Sequence, residues 1–289
     1  MTVRSAPAID AALARRLVDS QFPRWAGLPL RHLSPAGSDH VIYRLGDELS
    51  VRLPRHSGAI GQAEKEAEWL PRLAAHLPLA VPVPVAVGAP GFGYPWPWAV
   101  SRWLDGETAT VEALSGSHEA ARALAGFLTA LHRFGAEPAG DLVGPPLAAR
   151  DGATRSAIAK AGDAFGAVAM TELWDTALAA PDWGRPPVWR HGDFHTGNLL
   201  TTGGRLSAVI DFGELGAGDP ALDLIIAYTL LSAETRATFR AALEVDDATW
   251  TRGRGWALAT GLTAYTTYAA VDPRVAAQTT RQITQALAG

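Results

Sequence analysis

Cysteine is absent from the 289 residues, which excludes a disulfide framework, a thiolate metal site and a cysteine nucleophile. The absence fits a reducing compartment. Met1 to Ala14 hold Arg4 and Asp10 and no apolar run of signal-peptide length, so the expected location is the cytoplasm. No stretch reads as a transmembrane helix, and no internal repeat or low-complexity tract occurs. Excess positive charge is also missing: 25 basic against 29 acidic residues, a net charge of -4, set up no field that would gather nucleic acid or an anionic membrane surface. Lysine is scarce in particular. Only Lys65 and Lys160 are lysines among the 25 basic residues, a bias that GC-rich codon usage accounts for. Any chemistry that needs a lysine must use one of these two or an arginine in its place.

What is present is enough apolar sequence, 48%, to bury a sizeable core over one large domain or two lobes. The first hundred residues read as strands and turns around one helix, and most of the remainder reads as helices. Val41 to Leu45 and Ser50 to Leu53 are expected as short strands joined at Gly46-Asp47. They follow a turn-rich loop, Ser34 to Asp39. A helical pattern runs from about Ile60 to Leu77 and is stopped by Pro78. The Pro- and Gly-rich stretch 78–97 is expected to be irregular or an edge strand. Trp98 to Leu104 reads as a buried strand, and Asp105-Gly106 marks the expected boundary between an N-terminal lobe (1–104) and a C-terminal lobe (105–289). Leu124, Phe127, Leu128, Leu131 and Phe134 recur with helical period. Further helices are expected at about 153–180, 219–232, 234–243, 248–269 and 273–288, with Trp250, Trp256, Tyr265 and Tyr268 as helix core.

The chemistry concentrates between positions 191 and 213. Phosphoryl transfer requires a carboxylate near the attacking hydroxyl and oxygen ligands for a metal that bridges the nucleotide phosphates, because catalysis there is positioning plus charge neutralisation. His191-Gly192-Asp193-Phe194-His195-Thr196-Gly197-Asn198 holds the D-x-x-x-x-N spacing of a kinase catalytic loop, and Asp211-Phe212-Gly213 follows as a D-F-G. Alone, each is commonly a turn or a strand end; together and in order they are specific. Gly203-Gly204 between two strand-like runs is a hairpin signal. If Thr202 pairs with Arg205, Asn198 faces Val209 and Asp211 lies on the same sheet face, so that the two oxygen ligands converge on magnesium. The rival reading, an H-x-D-x-H metal site of a hydrolase formed by His191, Asp193 and His195, leaves Asn198 and the D-F-G unexplained.

On the Ile60–Leu77 pattern, Ala63, Glu66, Leu70, Leu73 and Leu77 share one face, with Glu64, Glu68 and Arg72 opposite. Glu66 is therefore a charge in an apolar stripe, and a buried carboxylate needs a partner. Arg52, in the expected strand Ser50 to Leu53, is placed to be that partner.

These motifs resemble the aminoglycoside phosphotransferase family, relatives of protein kinases that modify small molecules, whose H-G-D-x-H-x-x-N form this sequence matches position for position. The resemblance implies an α+β, two-lobed, protein-kinase-like fold: a small N-terminal β-sheet lobe with one key helix, and a larger, mainly helical C-terminal lobe. It implies Asp193 as catalytic base, Asn198 and Asp211 as ligands of Mg2+, and His191, His195 and Asp223 as supports of the loop. The nucleotide, ATP or GTP, would be bound by Arg52 and Glu66, by the backbone of Gly37 and Ser38, and by the inter-lobe segment Ser101, Arg102, Trp103 and Leu104. Arg52 departs from the pattern, since the family often has lysine there, and arginine is longer and always charged. Asp219 and Asp223 are assigned to structure.

The activity expected is Mg-dependent transfer of the nucleotide γ-phosphate to a hydroxyl of a small molecule, foremost an aminoglycoside-type antibiotic. Such a polycation would favour an acidic cleft, for which Glu214, Asp246 and Asp247 are the candidates. A macrolide or a metabolite such as choline or homoserine is an alternative acceptor. A nucleotide-binding protein without transfer activity is the alternative from another class.

Overall fold

The computed structural model describes residues 8–34, 39–135 and 140–289. They divide into two compact units. The first takes the described residues up to Ala75 with Ala80–Asp105 and Ala208–Glu214; the second takes His76–Leu79, the described part of Gly106–Ser207, and Leu215–Gly289.

The first unit opens with helix α1 (Ala11–Gln21). The Asp10 carboxylate accepts the Leu13 amide at 2.7 Å, a capping bond that satisfies one of the amides a helix start leaves without a partner. Leu13, Ala14, Leu17 and Val18 form its buried stripe. The expectation of a single helix in this half is corrected here. The inward stripe of α1 has only these four residues, two of them flanking Arg15 and Arg16, too short a periodic signal to stand out.

Strands β1 (Leu30–His32), β2 (His40–Leu45) and β3 (Leu49–Pro54) come next, then helix α2 (Gln62–Ala74), β4 (Pro84–Gly88) and β5 (Trp98–Arg102). The strands make one antiparallel sheet of order β1-β2-β3-β5-β4. The β2–β3 hairpin turns at Gly46, whose φ of 59° is the left-handed conformation that glycine adopts without steric cost. β4 lies at the sheet edge, where proline's missing donor is tolerated. Trp98 is fully buried beneath Gly88, where an added Cβ would stand 2.1 Å from the indole Cε2. Gly88→Ala should therefore destabilise the protein by about 1–3 kcal/mol. A lower denaturation midpoint at unchanged slope is the expected result; an unchanged midpoint would show that the indole has room to move.

α2 buries Ala63, Glu66, Trp69, Leu70 and Leu73. It is shorter than the 60–77 pattern, because Gly61 with φ 87° starts it and Leu77 lies beyond its end.

The second unit contains β6 (Glu107–Thr108), α3 (Val111–Leu114), α4 (His118–His132), α5 (Asp151–Phe165), α6 (Ala167–Ala179), β7 (Val188–Arg190), β8 (Leu199–Thr202), β9 (Arg205–Val209, whose last two residues count with the first unit), β10 (Gly216–Gly218), α7 (Ile226–Thr229), α8 (Ala233–Leu243), α9 (Asp247–Tyr268) and α10 (Pro273–Ala288). Two small sheets, β6-β8-β9 and β10-β7, accompany the helices. α4 buries Leu124, Phe127, Leu128 and Leu131, as the period requires. Phe134 falls past its end and packs on His76 and Trp189.

Three expectations are corrected. The helix expected at 153–180 is two helices, α5 and α6, because Gly166 between them takes φ 83°. The helix expected at 219–232 is a 3-10 segment, Pro220–Ile225, followed by the short α7. Of the four C-terminal aromatics only Trp256 is core; Trp250 and Tyr265 are half-buried and Tyr268 is exposed.

Candidate active site

The segment after β7 is held from beneath by one carboxylate. Asp223, fully buried, accepts the amides of His191 at 2.8 Å and Gly192 at 2.9 Å, with His132 Nε2 at 3.6 Å. Burial pushes its carboxyl up, and the His132 imidazole beside it, with His191 and the Gly192 amide, brings it below the usual carboxylate range. His191 is fully buried and its Nδ1 accepts the Asp193 amide. Phe194 stacks on Phe127 of α4 with ring centroids 5.5 Å apart. With the residues on both sides of it anchored, the Asp193 side chain remains 51% exposed.

The two oxygens of Asp193 differ. Oδ2 accepts Asn198 Nδ2 at 3.1 Å and faces His195 Nε2 at 3.4 Å. Oδ1 accepts no hydrogen bond among the described residues. Burial acts to raise this carboxyl, but the His195 imidazole that faces it, then His191 and Asn198, hold it at about 2. It is an ionised acceptor with one oxygen occupied by donors and one open.

The hairpin at Gly203-Gly204 forms, with φ 59° and 77° at its two glycines. The ladder argument built on it does not hold at either end. Asn198 is not in a strand: it closes the 3-10 turn Thr196–Asn198, with Nδ2 also bonded to the Asp193 carbonyl at 2.9 Å. Asp211 lies past the end of β9 with φ 63°, a conformation uncommon for a residue other than glycine and enriched at functional sites. A local side-chain bond places the one residue and a backbone reversal the other.

In the first unit Arg52 and Glu66 meet as the apolar-stripe argument requires. Arg52 Nη1 donates to Glu66 at 2.9 and 2.8 Å, and Nη2 donates to Asp211 Oδ1 at 2.8 Å. Arg52 is 8% and Glu66 1% exposed, so neither charge has water to fall back on. Burial raises the Glu66 carboxyl against the opposing pull of Arg52. The nearby His40 imidazole is lowered to about 3, first by burial and then by the Arg52 charge, and stays neutral. Lys65, one of the two lysines, donates to the Gly213 carbonyl at 2.7 Å and so holds the D-F-G segment, a contact that nothing in the sequence around it marks.

The inter-lobe candidates sit at the end of β5. Ser101 is fully buried, and Trp103 packs against the Arg44 guanidinium at 4.7 Å. The amides of Arg102 and Trp103 are committed to the carbonyls of Val83 and Glu48, whereas the Leu104 amide makes no hydrogen bond among the described residues. Gly37 and Ser38 lie outside the described residues.

The acidic candidates have local occupations. Asp246 caps α9, accepting the Thr249 amide at 2.7 Å. Asp247 is exposed and bonded to Arg240. Glu214 is exposed and acts on Lys65 through its charge. Asp219, assigned to structure, accepts the Arg252 guanidinium at 2.6 and 3.1 Å.

The model of the phosphotransferase enzyme family (APH) matches residues 32–256, more than half of the chain. The chain belongs to that family. No match is found among curated proteins. Among solved structures the chain is similar to the GDP complex of aminoglycoside 2'-phosphotransferase-IIIa, at 18% identity over 97% of this chain and 99% of that one, with a TM-score of 0.71. It is also similar to macrolide 2'-phosphotransferase type I, at 21% identity over 98% and 99% with a TM-score of 0.64. A third likeness is to the apoenzyme of macrolide 2'-phosphotransferase MphH from Brachybacterium faecium, at 23% over 93% and 98% with a TM-score of 0.60. At these identities the likeness is one of fold: the α+β, kinase-like arrangement of an antiparallel sheet unit and a mainly helical unit.

In this phosphotransferase two supports were not legible beforehand. His132, at the end of α4, reaches Asp223 across a long sequence separation, and Gln278 of α10 reaches His195. The H-x-D-x-H rival loses its basis too, since the Nδ1 atoms of His191 and His195 accept loop amides. Among the described residues no cluster of three or more His, Cys, Asp or Glu could hold a metal. No helix of the described residues is long and apolar enough to cross a membrane.

Proposed function

We propose that this phosphotransferase moves the γ-phosphoryl group of ATP or GTP to a hydroxyl of a small molecule, with Asp193 as the group that receives that hydroxyl. The observation that carries the reading is the asymmetric Asp193 carboxylate: Oδ2 held by Asn198 and His195, Oδ1 open, the whole ionised. So weak a base orients the hydroxyl and accepts its proton late, which suits a loose transition state in which the nucleophile needs direction more than activation. His191 and Asp223 support the loop that presents it.

The N-terminal lobe, residues 1–104, is the proposed nucleotide-binding part. There Arg52, fixed by Glu66, has a fork that suits phosphate oxygens, and Gly37, Ser38 and the Leu104 amide are further candidates, the last toward the base. Residues 105–289 are proposed to receive the acceptor. Each of the two proposed magnesium ligands, taken by itself, has an oxygen to give: Asn198 spends its amide nitrogen on Asp193 and keeps its oxygen, and Asp211 gives one oxygen to Arg52 and keeps the other. Both are hard oxygen donors of the kind Mg2+ prefers. When bound, the ion neutralises phosphate charge. Supply of nucleotide fits a cytoplasmic setting.

The acceptor is proposed from the antibiotic classes on which the similar folds act by name, aminoglycosides and macrolides. Asp246 and Asp247 have local partners and Glu214 is exposed; both classes stand, with choline and homoserine behind them. The test uses purified protein, magnesium and γ-labelled ATP or GTP against a panel of these acceptors. Label on one acceptor, lost on chelation and weakened in Asp211→Ala through a changed magnesium titration, is the expected result. Nucleotide binding with no acceptor labelled would favour the non-catalytic reading, for which the arginine at position 52 is the motive.

A further inference from the structure

The family model ends at residue 256, yet the last helix of the chain reaches the loop that carries Asp193. Gln278 of α10 places its Nε2 3.1 Å from His195 Nδ1, and the Gly197 amide donates to the same atom at 3.0 Å. A backbone N–H can only donate, so Nδ1 must be a lone pair. Gln278 must then present its NH2 side, since its carbonyl oxygen would face that lone pair. Two donors on Nδ1 leave the ring hydrogen on Nε2, the atom that faces Asp193 Oδ2 at 3.4 Å.

The fit around the ring is close. A Cβ on Gly197 would lie 2.8 Å from His195 Cε1, so the ring keeps its place only because position 197 has no side chain. The charged neighbours of Gln278 on α10 are turned elsewhere: Arg274 to Asp272, and Arg281 to the carbonyls of Thr229, Leu230 and Leu231.

We infer that Gln278 is a positioning residue for Asp193, acting through His195. Together with the Gly197 amide it holds the imidazole in the Nε2–H tautomer and in a fixed plane. The Nε2–H hydrogen then occupies Asp193 Oδ2 and leaves Oδ1 to the acceptor hydroxyl. The role in turnover rests on the function proposed above; the tautomer does not, and it is read without substrate. The motif supplies the histidine and the Gly197 amide, and a residue of the last helix adds the second donor that keeps Nδ1 bare.

The experiment records imidazole nitrogen resonances of full-length protein labelled in histidine, with His195→Gln identifying the signal, for wild type, Gln278→Leu and Gln278→Glu. The expected wild-type spectrum shows Nε2 protonated and Nδ1 bare. Gln278→Leu, of similar size, should broaden or mix the two tautomers. Gln278→Glu reverses the polarity of the contact, because its carboxylate accepts only, and should move hydrogen onto Nδ1. Once an acceptor is in hand, kcat should fall about five- to tenfold in Gln278→Leu, the weight of one hydrogen bond, with acceptor KM and nucleotide affinity held. A wild-type His195 protonated on Nδ1 overturns the inference, as does an unchanged tautomer in both variants. Tautomer changes with unchanged kcat would overturn the positioning role while leaving the function standing, whereas absence of transfer in wild type would count against the function alone.

Discussion

Replacing Arg52 by alanine should destabilise the protein by about 3–5 kcal/mol, the cost of leaving a buried carboxylate without its cation. Glu66 is 1% exposed and takes both of its close hydrogen bonds from Arg52. Without them it must either draw in water or take up a proton, and its carboxyl is already raised by burial. The loss should be recovered in large part by a second change, Glu66→Gln, which removes the stranded charge. The two substitutions are thus expected to be strongly non-additive in urea denaturation, as members of one pair are. Additive losses would mean that the pair is not the unit of stability that its geometry indicates. Arg52→Lys distinguishes packing from chemistry. A lysine can pair with Glu66 but cannot fork to Asp211 at the same time, so fold stability should be largely kept while the Asp211 contact is lost.

Asp193→Asn should leave the fold and nucleotide affinity intact and lower turnover about 10²–10⁴-fold, the usual weight of a positioned proton acceptor. The substitution keeps the shape of the side chain and removes its charge. Folding should tolerate it because the loop is anchored elsewhere, by Asp223 on the amides of His191 and Gly192 and by Phe194 on Phe127. Nucleotide affinity changed by less than about twofold with turnover at the wild-type level would remove Asp193 from the assigned role. A fall in both together would indicate that the loop had lost its form.

The parts of the fold that the sequence made legible are those where period and punctuation agree. The β2–β3 hairpin around Gly46, the α2 stripe that isolates Glu66 and the long repeat of α4 all follow from local pattern. The Arg52–Glu66 pair was legible because a charge in an apolar stripe demands a partner, and Arg52 in the expected strand Ser50 to Leu53 was placed to be one. What could not be read depends on contacts distant in sequence or on single backbone angles. α1 shows only a short inward stripe. Gly166 could equally have sat within a helix, and its positive φ has no sequence signature beyond its being glycine. The hairpin argument for Asn198 and Asp211 assumed a regular ladder, whereas a side-chain bond to Asp193 and a left-handed backbone place them. His132 and Gln278 were illegible because nothing near them in sequence marks them as partners of Asp223 and His195.

The most direct test is a single turnover, with protein and acceptor in excess over γ-labelled nucleotide, comparing wild type with Asp193→Asn at equal nucleotide occupancy. The predicted result is label passing to the acceptor hydroxyl in the wild-type protein in one fast phase, with that phase slowed by orders of magnitude in the variant. Equal rates in the two proteins, or label released only as inorganic phosphate by the wild type, would contradict an Asp193 that receives the acceptor.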